Sequence, residues 1–300
     1  MTQDPSKEEI QAYFQSLQDQ ICKALEQADG KSSFVEDAWE RPGGGGGKSR
    51  VITNGNVIEK GGVNFSAVYG KTPEKILEAL QLKEADFFAT GVSLVIHPNS
   101  PYVPIVHMNV RYFEMSNGVK WFGGGIDLTP HYVVEKDAQY FHQQLKSVCD
   151  KHHKGYYTEF KKWADDYFYI KHRDETRGIG GIFFDHLKPT NEISFTDRFN
   201  FVKEVGNAFS TTYTHLMNKN KGIPFDDSQK KWQLLRRGRY VEFNLVYDKG
   251  TKFGLDTDGR TESILMSMPP VCNWDYNVQP NPESEEYKTL QWLKKGINWI

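Results

Sequence analysis

Between residues 103 and 113 apolar and polar positions alternate with a period of two, which predicts a β-strand whose two faces differ chemically. Val103, Ile105, His107, Asn109, Arg111 and Phe113 share one face, and Pro104, Val106, Met108, Val110 and Tyr112 the other. The preceding segment TGVSLVIHP repeats the pattern, with Gly91, Ser93, Val95 and His97 opposite Val92, Leu94 and Ile96. Two neighbouring strands thus present hydroxyl, imidazole, amide and guanidinium groups to one space and pack a core with their other faces. Half-polar strands are ordinary in antiparallel sheets. A purely solvated face, however, would use Lys, Glu and Thr rather than this set.

The same patterning organises the rest of the chain. Ile10, Tyr13, Phe14, Leu17, Ile21 and Leu25 recur at three and four, predicting an amphipathic helix over residues 6 to 28. A loop built on Arg41, Pro42 and five glycines follows, and VITNGNVIEKGGVNFSAVYG carries an Asn-Gly turn between β-prone runs. TPEKILEALQLK reads as a helix capped by Thr72. VKWFGGGIDL joins the strand at 103 to 113 across Ser116-Asn117-Gly118, giving an antiparallel meander. Helical patterns return at about 135 to 150, 156 to 172 and 195 to 219, with a strand in RGIGGIFFDHL between the last two. RRGRYVEFNLVYDKGTKFGL alternates again, placing Tyr240, Glu242, Asn244 and Val246 opposite Val241, Phe243, Leu245 and Tyr247, and predicts a strand. ESILMSMPP predicts an edge strand ended by prolines. Residues 284 to 297 predict a closing helix. Hairpins and long helical excursions, rather than regular βαβ units, argue for an α+β fold: a large, mainly antiparallel β-sheet flanked by helices on both faces. One domain over residues 1–300 is the expected organisation.

Composition narrows the function classes. The formal net charge is −2 with basic and acidic residues interspersed, so no basic field argues for nucleic acid. Cys22, Cys149 and Cys272 form neither a disulfide framework nor a Cys-x-x-Cys pair, which fits a reducing compartment. The N-terminal stretch lacks signal- and transit-peptide composition, and no apolar run is long enough to span a bilayer, so a cytoplasmic protein without stable membrane insertion is expected. The aromatic fraction of 14% suits the packing of large flat groups.

GGGGGKS at 43–49 resembles a phosphate loop, but Pro42 stands where its first glycine belongs and strand and helix do not flank it. A mobile glycine loop shielding a pocket is the better reading. His152-His153 reads as a solvent-facing pair in a Lys-rich turn. His97, His107, His142 and His172 together would form a donor set suited to a divalent metal, although each alone is more often a hydrogen-bonded structural histidine. Arg111 and Arg260 supply planar forks that match carboxylates. Asp127 follows three glycines, where either a ligand approaches the backbone closely or the carboxylate caps a turn before Thr129-Pro130.

Taken in order, EDAWERPGGGGGKSRV, GGVNFSAVYG, ATGVSLVIHPNSPYVPIVHMNVRYFE, WFGGGIDLTP, KKWADDYFYIKHRDETRGIGGIFFD, RGRYVEFNLVYDKGTKFGL and GRTESILMSMPP closely resemble oxygen-dependent coproporphyrinogen III oxidase. The resemblance covers most residues after about 34. It implies oxidative decarboxylation of the ring A and B propionates of coproporphyrinogen III to vinyl groups, giving protoporphyrinogen IX in haem biosynthesis. Dioxygen would be co-substrate, no organic cofactor would be needed, and carbon dioxide and hydrogen peroxide would leave. It also implies a homodimer with a dimerisation region at about 240–275. By resemblance His107 is the proton donor, and Ser93, Asn109, Val110, Arg111, Asp258, Gly259 and Arg260 contact substrate. Asp127 is a candidate carboxylate assisting removal of the pyrrole N–H proton. Some relatives are described with a divalent metal such as manganese at the positions of His97, His107, His142 and His172, and others without one. Two departures stand out. Asp258 replaces the usual Gly or Pro and sets a carboxylate beside a propionate site, and Lys249 replaces a common Arg. Two rival classes stand beside this reading: a histidine-ligated metal dioxygenase for another aromatic substrate, and a non-catalytic tetrapyrrole carrier.

Overall fold

A computed structural model describes residues 4–72, 77, 85–256 and 259–300. The first helix, α1 (Lys7–Asp29), begins where a capping box pairs Ser6 with Glu9 and ends at Gly30, whose φ of 74° suits glycine. Its apolar face, Ile10, Phe14, Leu17, Ile21 and Leu25, is buried as the periodicity predicts. Burial of each such side chain is worth about 1.5–3 kcal/mol.

Strands β1 (Val35–Glu40), β2 (Gly45–Thr53), β3 (Ile58–Lys71), β4 (Asp86–Pro98), β5 (Ile105–Met115) and β6 (Lys120–Thr129) follow in sheet order. Strand β9 (Gly181–Leu187) adds antiparallel to β6, completing a seven-stranded sheet with every pair antiparallel. Before β9 come helices α2 (Glu135–His152) and α3 (Tyr156–Tyr167), and the two-residue strands β7 (Tyr169–Ile170) and β8 (Glu175–Thr176). After it come α4 (Phe195–Asn220), α5 (Asp227–Val246), α6 (Lys249–Asp256), α7 (Thr261–Leu265) and α8 (Glu285–Trp292). The α+β architecture and the meander are as expected.

The period-two reading holds residue by residue. Val92, Leu94, Ile96, Val106, Met108, Val110 and Tyr112 all enter one buried cluster with the apolar faces of α1, α2 and α4. The opposite face meets α5 and the segment after it. Tyr240 packs on Val95 and Ile105, and Asn64 Nδ2 donates to the Ser263 carbonyl at 2.9 Å. Helices therefore flank both faces, but the second is covered only in part, and His107, Asn109, Arg111 and Phe113 on it are half-buried. Among the described residues no helix is long and apolar enough to cross a membrane.

Four expectations need correction. The segment expected as a strand over 236–255 is helical: 236–246 continues α5, which starts at a capping box between Asp226 and Gln229, and 249–255 lies in α6. The buried positions of α5, Trp232, Leu235, Arg236, Tyr240, Phe243 and Asn244, recur at helical spacing. Buried arginines and an asparagine in that series read as polar in sequence, which left the alternation of 240–247 as the visible signal. ESILMSMPP is likewise no edge strand: both sheet edges are taken by β1 and β9, and Arg260 stands at the N-cap of α7 instead. The glycine run is not a mobile loop. Gly45, Gly46 and Gly47 lie inside β2, and a Cβ on Gly45 would fall 2.2 Å from the Ala67 carbonyl oxygen of β3, so the glycines permit close strand approach. His152 ends α2 and stacks edge-on against Phe201, so only His153 of that pair faces solvent. The helix expected over TPEKILEALQLK lies outside the described residues apart from Thr72 and Leu77, as does Asp258.

Candidate active site

Sheet register aligns the polar residues of the open face into rows. One row runs Asp37, Ser49, Asn64, Ser93, Asn109 and Gly125 from β1 to β6. The next runs Gly62, Val95, His107, Asp127 and Gly181 from β3 to β9, and Arg111 sits between Gly91 and Gly123 on the other side. Val110 lies on the core face, 0% exposed, so any contribution it makes to a ligand comes from its backbone.

His107 and Asp127 face each other across β5 and β6, with His107 Nδ1 2.8 Å from Asp127 Oδ1. Asp127 is 1% exposed. Burial pushes its carboxyl pKa up, but the adjacent Arg177 guanidinium and His107 outweigh this and hold it below the usual range. An ionised carboxylate only accepts, so Nδ1–H of His107 donates to it and Nε2 is left for the open side. The imidazole side chain is 21% exposed, and its ring meets Phe168 edge-on at 6.1 Å.

Arg177 is the cation beneath this pair. Its Nη2 lies 2.8 and 2.7 Å from the two Asp127 oxygens, and its Nη1 donates to Asn244 Oδ1 at 2.8 Å. The guanidinium is enclosed by the rings of Phe168, Tyr240 and Phe243, with centroids at 4.4, 4.7 and 4.7 Å. His107 and Arg177 thus engage both carboxylate oxygens of Asp127. In this arrangement the carboxylate orients the His107 ring and sets which of its nitrogens carries the proton that faces it.

Arg111 reaches the open face with 37% of its side chain exposed. It donates from Nη1 to Asn109 Oδ1 at 2.7 Å, and its Nη2 lies 2.9 Å from Asp185 on β9. Ser93 stands opposite Asn109 on the neighbouring strand. Three strands away, Arg260 donates to the hydroxyls of Ser49 and Ser263 and to Asp37. Strand spacing puts the Ser49 and Asn109 positions about 14 Å apart. Gly259 donates its N–H to the Gly254 carbonyl at 2.8 Å, beside Arg260.

The four-histidine metal set does not assemble. His97 donates from Nε2 to the Ser267 carbonyl at 2.8 Å, and burial lowers its pKa to about 3, so it is neutral. His142 lies on the opposite, core side of the sheet between the Tyr157 hydroxyl and the Ile179 carbonyl, and burial brings it to about 4. His172 is bound to Tyr247 and Glu242. Glu242 is partly buried, yet donors from Arg173, His172 and Trp274 bring its pKa down to about 2. Among the described residues no group of three or more His, Cys, Asp or Glu side chains is placed to hold a metal ion. These residues do not fit the metal, and no chemical step is routed through it.

Sequence reasoning missed Arg177 and Asp185. Asp185 was within reach: extending the β9 alternation from Gly181 through Phe183 puts it on the open face. Arg177 has no local signal beyond the requirement that a buried carboxylate find a cation.

Against families of known proteins, residues 9–299 match the model described as coproporphyrinogen III oxidase.

Proposed function

Because the chain belongs to the coproporphyrinogen III oxidase family, we propose that it performs the dioxygen-dependent reaction, converting the ring A and B propionates of coproporphyrinogen III to vinyl groups. The observation that carries this reading is one open sheet face holding an imidazole backed by a buried ion pair, with Arg111 beside it. The substrate has an apolar macrocycle and four carboxylates. Arg111 and Arg260, with Ser93, Asn109 and the backbone of Val110, supply polar anchors separated on the scale of such a ring, and half-buried Phe113 supplies apolar contact.

Each round takes a propionate, R–CH2–CH2–COO⁻, one dioxygen and one proton to R–CH=CH2, carbon dioxide and hydrogen peroxide. The side chain supplies the electrons: two leave it and reduce dioxygen to peroxide. No flavin or nicotinamide enters this balance. His107 supplies and recovers the proton at Nε2, while Asp127 keeps Nδ1 protonated. Arg111 holds the reacting chain so that its β-carbon stays near the oxidant. The test is anaerobic incubation with coproporphyrinogen III followed by air, with mass analysis of the porphyrins and a dioxygen electrode. Loss of two carboxyl groups with dioxygen uptake is expected. Unchanged tetracarboxylate would show a carrier, and activity abolished by chelation together with stoichiometric iron or manganese would show a metal oxygenase.

The family's homodimer and its interface at about 240–275 are part of the same proposal. Leu245, Val246, Leu255, Val271 and Trp274 are 42–52% exposed, a concentration of apolar side chains that a monomer would leave wet. The main core cluster runs from Ile10 to Trp299, which supports a single domain in each protomer. Sedimentation equilibrium should give a dimer at micromolar concentration, and Leu245→Asp with Val271→Asp should shift it to monomer without unfolding. A monomeric wild type would refute the interface.

A further inference from the structure

Each guanidinium assigned above to the substrate already holds a carboxylate of the chain itself. Arg111 is paired with Asp185 on β9 and Arg260 with Asp37 on β1, the two opposite edge strands of the sheet. Both pairs stand at the open face, with side-chain exposures of 37% and 24% for the first and 29% and 58% for the second. The same arrangement has thus been built twice, at both ends of the polar rows. Neither pair seals the core, unlike the fully buried Arg177–Asp127 pair.

We propose that Asp185 and Asp37 are place-holding carboxylates: in the free protein they keep the two forks oriented, and substrate binding exchanges each for a propionate. This rests on the reading that Arg111 and Arg260 take the substrate's carboxylates. The exchange is feasible because neither aspartate would be stranded. Asp185 Oδ1 also accepts the His186 backbone N–H at 2.9 Å, and its Oδ2 lies 3.6 Å from His186 Nδ1. His186 holds this position in a left-handed conformation, φ 49°, with its ring stacked on Trp121 at 4.8 Å. Asp37 is exposed enough to turn to water. Ion pairs are then swapped rather than created, so the macrocycle's apolar contact supplies selectivity.

The test uses coproporphyrin III, the already oxidised tetracarboxylate, titrated into the full-length protein and followed by its fluorescence. Asp185→Asn and Asp37→Asn should each bind it about two- to fivefold tighter, because an internal competitor is gone. The two gains should multiply, since the sites lie at opposite edges. In an Arg111→Ala background the Asp185→Asn gain should vanish, which a general structural effect would not produce. Unchanged or weaker binding by Asp37→Asn at an unchanged melting temperature overturns the exchange, and Asp37 lies on an edge strand where loss of fold is not at issue. If Arg111→Ala itself binds normally, the propionate assignment fails instead.

Discussion

Replacing His107 with alanine should lower kcat by about 10²- to 10⁴-fold, the range over which a positioned proton donor contributes, while leaving the melting temperature within a few degrees. The imidazole sits at the half-open surface of the sheet, so its removal creates no sealed void. Its partner Asp127 also remains paired with Arg177 through two contacts below 3 Å. KM should move little, because the carboxylates are held elsewhere. The measurement is steady-state dioxygen uptake alongside thermal unfolding, with His107→Gln as the shape-conserving control. Wild-type kcat in a folded variant would remove His107 from the chemistry.

The largest effect on stability should come from Arg177→Met. This leaves Asp127, 1% exposed, as a buried charge without its cation, a loss of about 3–5 kcal/mol. The sign with pH follows from linkage. In the wild type the Asp127 pKa is depressed, so its contribution is present above the ordinary value of 3.8 and is lost as pH falls through the folded value. In the variant only His107 still opposes burial, so the pKa rises relative to the wild type, and the deficit should be greatest near neutrality and shrink toward acid as the carboxyl takes up a proton. Urea denaturation at pH 7 and pH 5 reads this directly. Adding Asp127→Asn should recover most of the loss, because an amide needs no counter-charge. An equal deficit at both pH values would mean that packing against Phe168, Tyr240 and Phe243, not charge, is what Arg177 provides.

The sheet was legible because its physics is local. Val92, Leu94, Val106 and Met108 alternate with polar neighbours, and Asn54-Gly55 and Asn117-Gly118 punctuate the hairpins, so strand order and facing follow from period and turn chemistry. The placing of His107, Asn109, Arg111 and Ser93 on one face came from the same rule. The helix across 227–246 was not legible: its interior side includes Gln233, Arg236, Arg237 and Asn244, polar residues buried by tertiary partners such as Glu59 and Glu175. Hydropathy cannot anticipate a burial that distant charges make tolerable. The histidines failed for the reverse reason. His97, His107, His142 and His172 have the right chemistry for a shared metal, but facing alone separates His142, and carbonyl, hydroxyl or carboxylate partners occupy the rest.

An uninterrupted meander also sets an order of assembly. Strands β1 to β6 each pair with their chain neighbour, so their contacts close short loops, whereas β9 must wait for the helical excursion from 135 to 167 and Arg177 for the docking of α5. Facing residues His107 and Asp127 should therefore meet in an early intermediate, and their counter-ion should arrive last, making acquisition of the proton-handling pair's final electrostatics a late folding event. Pulse-labelled amide exchange reads the sequence of protection, and protection of α5 before β4 to β6 would rule this order out.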